Sequence, residues 1–149
     1  METLHVLLVD DEPRYLETTA KLLTRKGCHV ATASSGLEAL DYLAVKPVHV
    51  VVLDVKMPGM DGHETFGAIR QSHPLVEVIL LTGHGTVDSA VEGLKSGAFD
   101  YLLKPVDIDL LWEKVSQAWG AYLAHAEKIR MAMLEKSLQS PREIMKKRG

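Results

Sequence analysis

Residues 48–54 read Val48-His49-Val50-Val51-Val52-Leu53-Asp54, and the four consecutive apolar residues that end on a carboxylate decide the class of fold. A half-buried strand alternates apolar and polar residues, whereas an unbroken Val/Leu run suits a strand covered on both faces, as in the middle of a parallel sheet. The run is far too short to span a bilayer. Asp54 then stands just outside the carboxyl end of a central strand, where open parallel sheets bind their ligands.

Outward from this run, similar apolar stretches occupy residues 4–9 (LHVLLV), 28–33 (CHVATA), 76–81 (VEVILL) and 99–103 (FDYLL). Segments of helical period separate them. Pro13 can open a helix with Leu16, Ala20 and Leu23 on one side, and Gly27 after Lys26 ends it. Ser35-Gly36-Leu37-Glu38 has capping-box spacing for a second helix that stops before Pro47. Asp61 and Thr86 cap a third helix to about Ser72 and a fourth ended by Gly97; Asp107 caps a fifth from Ile108. The fifth meets no Pro until Pro141 and only Gly120 on the way, which predicts an unusually long helix. The alternation predicts a doubly wound α/β fold, (βα)5 with a five-stranded parallel sheet and an extended C-terminal helix. Residues 1–120 form the domain, and residues 121–149 a helical extension or linker with a basic, disordered end.

Hydrophobic residues make up 46% of the 149 and charged residues 25%, which excludes an intrinsically disordered chain. Cys28 is the only cysteine, so neither an intrachain disulfide nor a thiolate zinc cluster can form. The N-terminus lacks the basic and apolar regions of a signal peptide, which points to a cytoplasmic protein with no membrane partner. Net charge is −3, divided unevenly: residues 1–124 carry 10 Lys/Arg against 17 Asp/Glu, and residues 125–149 carry 7 against 3. An acidic body argues against wrapping nucleic acid and suits a hard cation. The terminal Lys146-Lys147-Arg148 reads as solvated rather than as a nucleic-acid contact.

The strand ends supply the chemistry. Strand one ends in Asp10-Asp11-Glu12, strand three in Asp54, strand four in Thr82-Gly83 and strand five in Lys104-Pro105. Three carboxylates brought together repel unless a divalent cation neutralises them, and oxygen ligands select Mg2+ or Mn2+. A carboxylate in such company can attack a phosphoryl group. Asp54 stands alone and suits the nucleophile; Asp10 and Asp11 suit the ion; Lys104 and Thr82 can contact the phosphoryl oxygens, and Gly83 leaves room for the donor. On their own, Asp10-Asp11-Glu12 could equally be an acidic helix start, Met57-Pro58-Gly59-Met60-Asp61-Gly62 a turn, and Tyr101 a half-buried strand residue.

Taken in order, Val9-Asp10-Asp11-Glu12, Leu53-Asp54-Val55-Lys56-Met57-Pro58-Gly59-Met60-Asp61-Gly62, Leu81-Thr82-Gly83 and Asp100-Tyr101-Leu102-Leu103-Lys104-Pro105 resemble the receiver domains of two-component response regulators. The segments Thr82-Gly83-His84-Gly85-Thr86 and Lys104-Pro105-Val106-Asp107 look most like receivers of the nitrogen-regulation, sigma-54 activator type. The resemblance covers roughly residues 4–118. It implies a flavodoxin-like sheet in the order 2-1-3-4-5 and a sensor histidine kinase as phosphoryl donor. It further implies Asp54 as phosphoacceptor, Asp11 as a direct metal ligand, Asp10 as a ligand often acting through water, and the backbone carbonyl of Lys56 as a third. Thr82, Gly83 and Lys104 would contact the phosphoryl group, Thr82 and Tyr101 would form the switch pair, and the Lys104–Pro105 peptide would be cis. The side chains of Lys56 and His84 would set the dephosphorylation rate. Receivers of this type usually precede an ATPase and a DNA-binding domain, for which residues 106–149 show no pattern, so the chain reads as a stand-alone receiver or as a fragment of a longer regulator, with its downstream target unknown.

Two rivals remain at this level. A phosphohydrolase of the haloacid-dehalogenase type needs a second Asp two positions after the nucleophile, where Lys56 stands. An adaptor without phosphorylation would have a degraded acidic site. The histidines show no shared metal-binding spacing, and most read as surface or strand-edge residues. Ile108, Trp112, Val115, Trp119, Tyr122, Ala126, Ile129 and Met133 recur at alternating steps of four and three, a coiled-coil-like stripe. With no sheet left to cover it beyond Trp119, the stripe predicts a homodimer through residues 119–138, with a helix folded back on its own domain as the competing reading.

Overall fold

The structure is a computed structural model that describes residues 2–56, 61–83 and 86–138. Five strands and five helices alternate: β1 (His5–Val9), α1 (Pro13–Arg25), β2 (His29–Ala33), α2 (Gly36–Val45), β3 (Val50–Asp54), α3 (Gly62–Ser72), β4 (Glu77–Thr82), α4 (Val87–Lys95), β5 (Asp100–Leu103) and α5 (Ile108–Ser137). All strand pairs are parallel, in the order β2-β1-β3-β4-β5. The expected (βα)5 fold and strand order are both present.

Burial follows from that order. The central β3 and the neighbouring β4 are buried at every residue, because helices cover both faces and alternate side chains enter different cores. Leu7, Val9, Val51, Leu53 and Leu80 join Ala39 and Leu43 of α2 and Phe66 and Ile69 of α3. On the other face Val6, Leu8, Val50, Val52, Ile79 and Leu81 join Leu16 and Leu23 of α1 and Leu111, Val115 and Ala118 of α5. The edge strands β2 and β5 are less covered and more polar.

The helix starts obey the predicted caps. The side chains of Ser35, Asp61, Thr86 and Asp107 accept hydrogen bonds from the backbone N–H groups of Glu38, Glu64, Ser89 and Asp109. The capping box at Ser35 is displaced by one residue: the Glu38 carboxylate accepts from the backbone N–H and hydroxyl of Ser34. These bonds hold the Glu38 carboxyl below its ordinary pKa. Gly27 ends α1 at φ +105°, a conformation that costs a side chain but not glycine.

Gly62 has a different reason to be glycine. A Cβ there would lie 2.2 Å from the Cα of Val55 and 2.5 Å from the carbonyl oxygen of Asp54. The first turn of α3 therefore rests directly on the backbone that follows β3, and the Gly62 N–H donates to the Val55 carbonyl at 3.1 Å.

Two features at the opposite, N-terminal edge of the sheet depart from the sequence reading. His49 is no edge residue: it is 3% exposed, its Nδ1 accepts the backbone N–H of His5 at 3.0 Å, and its Nε2 lies 3.2 Å from Glu2. Its ring packs on Trp119 at 4.5 Å and Tyr122 at 4.8 Å. The sheet thus covers the α5 stripe one turn beyond Trp119, because His49 just ahead of β3 reaches up to meet Tyr122. His125, a turn further on, lies 3.5 Å from the buried Glu77. The helix α5 runs through Gly120 without a break and on past His125 to Ser137, about 45 Å in all at 1.5 Å per residue. The division expected at 120/121 falls inside this helix, and residues 139–149 with the basic end lie outside the described residues. Among the described residues no helix is long and apolar enough to cross a membrane.

Two stability measurements follow. Gly62→Ala should lower the urea midpoint by the equivalent of about 1–3 kcal/mol, the usual cost of forcing an atom into filled space. Burial lowers the pKa of His49 from its ordinary 6.5, with Glu2 acting the other way. The unfolded chain therefore takes up a proton at His49 at a higher pH than the folded one does, and stability falls as pH drops below 6.5. Urea titrations between pH 7.5 and 5.5, roughly spanning that window, should show a shallower loss in His49→Gln.

Candidate functional site

Sheet register places the candidate residues on one rim. Val9 of β1 pairs with Leu53 of β3, so Asp10 and Asp54 follow side by side. Asp54 pairs in turn with Leu81, ahead of Thr82, and Thr82 pairs with Leu103, ahead of Lys104. From β1 the chain turns through α1 to β2 on one side, while β3 lies on the other; the crevice at such a switch point is where ligands enter this class of sheet. Ladder-like bonds continue past the strand ends and fix the loops: Asp10 N–H to the Ala33 carbonyl, Val55 N–H to Leu81 and Lys104 N–H to Thr82, at 3.1, 3.0 and 2.7 Å.

Asp10 is fully buried and Asp54 5% exposed, whereas Asp11 is exposed. One carboxylate oxygen from each of the three lies within 4.8 Å of the other two. Among the described residues a single ammonium faces them: Lys104 Nζ donates to Asp10 Oδ2 at 2.5 Å and lies 3.7 Å from Asp54 Oδ2. The other oxygens of Asp10 and Asp54 are held by the chain itself, since Asp10 Oδ1 accepts the Glu12 N–H and Asp54 Oδ1 the Lys56 N–H. The Lys104–Pro105 peptide is cis, as expected.

The electrostatics follow from that crowding. Burial pushes the Asp54 carboxyl above its ordinary pKa; the Lys56 N–H and Lys104 oppose the rise, and Asp10 and Asp11 add to it. For Lys104 burial acts downward, but the hydrogen bond and charge of Asp10, then the charge of Asp54, outweigh it and raise the pKa. Three carboxylates against one ammonium leave an excess of negative charge that a divalent cation would offset. All donors are oxygens, which suits a hard ion such as Mg2+ rather than zinc or copper.

The structure therefore brings together Asp10, Asp11, Asp54, Thr82 and Lys104. Thr82 is fully buried. Gly83 is exposed, and a Cβ there would meet nothing within 4 Å, so the open space beside Thr82 does not depend on glycine. The Lys56 side chain is exposed, and its amide touches Asp54. Tyr101 is half-buried beside Leu80 and Gly93, with its hydroxyl 2.9 Å from Ser89 Oγ on α4. Met57, Pro58, Gly59, Met60, His84 and Gly85 lie outside the described residues.

One contact in the site was not foreseen. The Tyr15 ring, in the first turn of α1, lies under Lys104 with Nζ 4.3 Å from the ring centroid. In the sequence Tyr15 stands beside Leu16 but outside the stripe of Leu16, Ala20 and Leu23, and helical periodicity does not reveal the cation above it.

Comparison with known proteins gives the same answer as the geometry. The family model described as the response regulator receiver domain matches residues 6–116. The chain is 41% identical over 124 residues to the transcriptional regulatory protein ZraR of Klebsiella oxytoca, covering 83% of this chain and 27% of that protein. It is also 41% identical over 115 residues to the DNA-binding transcriptional regulator NtrC of Klebsiella pneumoniae, covering 77% and 24%. The chain thus spans about a quarter of the length of these relatives. Among solved structures, the beryllofluoride-activated NtrC4 receiver domain dimer superposes with a TM-score of 0.75 at 36% identity, covering 79% of this chain and 98% of that one. With a family model matched from β1 into α5 and the acidic rim that the family shares, the chain belongs to the response regulator receiver domains of two-component signalling.

Proposed function

We propose that Asp54 is the phosphoacceptor of this receiver, and that the domain is a switch rather than a turnover enzyme. The observation that carries the reading is the placement of the Asp54 carboxylate, with one oxygen fixed by the Lys56 N–H and the other facing the Lys104 ammonium, in one group with Asp10 and Asp11. Receivers bind Mg2+ at an acidic pocket, and those of NtrC-type regulators take their phosphoryl group from sensor kinases. In this chain Asp10, Asp11, Asp54 and the Lys56 carbonyl would hold the ion. Bound there, Mg2+ (or Mn2+) would offset the charge of the carboxylates and of the incoming phosphoryl oxygens.

An oxygen of Asp54 attacks phosphorus, the bond from phosphorus to the donor imidazole of a sensor histidine kinase breaks, and its electron pair leaves with the imidazole. Lys104 exchanges its bond to Asp10 for one to a phosphoryl oxygen, and Asp10 is one of the residues that would hold the ion. Thr82 offers its hydroxyl to another phosphoryl oxygen, and Gly83 contacts the same group. Once Thr82 is drawn toward the phosphoryl group, Tyr101 leaves Ser89 and turns inward. Phosphorylation thereby biases an equilibrium between two arrangements of α4, β5 and α5. That face already exposes Val87, Val91, Leu94 and Leu103, an apolar surface for a downstream protein.

The C-terminal part of α5 supports a second element of the reading. Residues 1–120 act as the receiver and residues 121–149 as its extension, whose described part exposes Leu123, Ile129, Met131, Met133, Leu134 and Leu138. A second copy of the chain would cover this apolar side, as a receiver dimer is known for the NtrC4 neighbour.

Intact mass after incubation with acetyl phosphate tests the first element. Wild type should gain one phosphoryl group only with Mg2+, and Asp54→Ala none; a gain in both would move the acceptor elsewhere, and continuous phosphate release would favour a hydrolase. Sedimentation equilibrium tests the second. The wild type should show a concentration-dependent dimer that Ile129→Glu with Met133→Glu weakens at least tenfold, about 1.4 kcal/mol or more. A monomer at every concentration would overturn it.

A further inference from the structure

We infer that Tyr15 is a positioning residue for Lys104, holding the ammonium at the rim by the face of its ring while the two carboxylates beside it change partners. The inference rests on the reading of Asp54 as phosphoacceptor. Lys104 has three neighbours that stabilise its charge: Asp10, Asp54 and the Tyr15 ring at 4.3 Å from Nζ. During phosphorylation the first two are claimed by other work, because Asp54 becomes an acyl phosphate and Asp10 would hold the divalent ion. An aromatic face is neutral and binds no Mg2+, so it is the one partner that Lys104 keeps throughout.

The surroundings of the ring favour this role over simple core filling. Tyr15 is half-buried, at the rim of the core formed by α1, α5 and the sheet, and it lines a cleft with Val106, Ile108 and Leu111 beyond the Lys104–Pro105 bond. One side of the ring packs on apolar neighbours and one face meets the ammonium. Without the ring, the Asp10–Lys104 hydrogen bond would be the closest hold on Nζ. The ring offers a competing attraction that weakens the hold of Asp10 without adding a further negative charge to a site that already has three.

Ring electrons, rather than ring volume or the hydroxyl, are what the inference requires. Rates of phosphorylation by acetyl phosphate with Mg2+ should be compared for wild type, Tyr15→Phe, Tyr15→Leu and a protein carrying pentafluorophenylalanine at position 15, which keeps the ring's shape but withdraws the charge from its face. Tyr15→Phe should stay within about twofold of wild type, and the Leu and fluorinated proteins should be about threefold to tenfold slower, as expected for losing a partly desolvated cation–π contact. Without metal or donor, the Lys104 ε-methylene protons should show a ring-current upfield shift in wild type and Tyr15→Phe that Tyr15→Leu loses. Equal rates in a phosphorylated wild type and the fluorinated protein, or no ring shift at Lys104, would overturn the inference alone. A wild type that takes up no phosphoryl group would remove the phosphoacceptor reading and this inference with it.

Discussion

The repulsion among three carboxylates at one end of the sheet is the constraint around which this domain is arranged. Asp10 and Asp54 are held there by backbone pairing that runs the length of β1 and β3, so they cannot move apart without breaking the central ladder. Covering them with protein raises the cost of their charges. Lys104 is the one cation among the described residues of the rim, and it reaches the carboxylates because β5 ends beside β4. The hydrophobic cores on either face supply the stability against which this local strain of charge is held, and they leave the rim short of positive charge. A divalent cation bound there would relieve a condition already present in the folded chain.

Most of this was legible in the sequence because it depends on residues at strand ends. The run Val50–Leu53 identified the central strand, and the register of a parallel sheet does the rest: once five strands are located, their final polar residues must meet. The helix caps at Ser35, Asp61, Thr86 and Asp107 were readable for a similar reason, since a cap needs only a side chain two or three residues from the N–H that it satisfies. Strand boundaries moved by a residue or two, as at β3, which begins at Val50 rather than Val48.

What escaped the reading depends on contacts between elements distant in sequence. Tyr15 and Lys104 are brought together only when α1 packs beside the β5–α5 connection. His49 looked like a strand-edge histidine because polar side chains near the start of a strand usually face water; here α5 crosses that edge and supplies Trp119 and Tyr122 as a cover. Gly62 stood in a motif as a turn residue, yet its structural reason is the approach of α3 to the backbone of Asp54 and Val55. In each case the local pattern was correct, and the partner came from elsewhere in the fold.

The continuity of α5 has a mechanical consequence. The helix is both a wall of the core, through Leu111, Val115 and Ala118, and the rod that projects past Tyr122 to Ser137. Fifteen residues beyond the last aromatic contact form a lever arm of about 22 Å. A tilt of about 5° at the sheet would carry its tip sideways by about 2 Å, comparable with the helix shifts that separate signalling states at subunit interfaces. A rearrangement too small to alter the packing of the core would in this way become a displacement large enough for a partner at the far end to register.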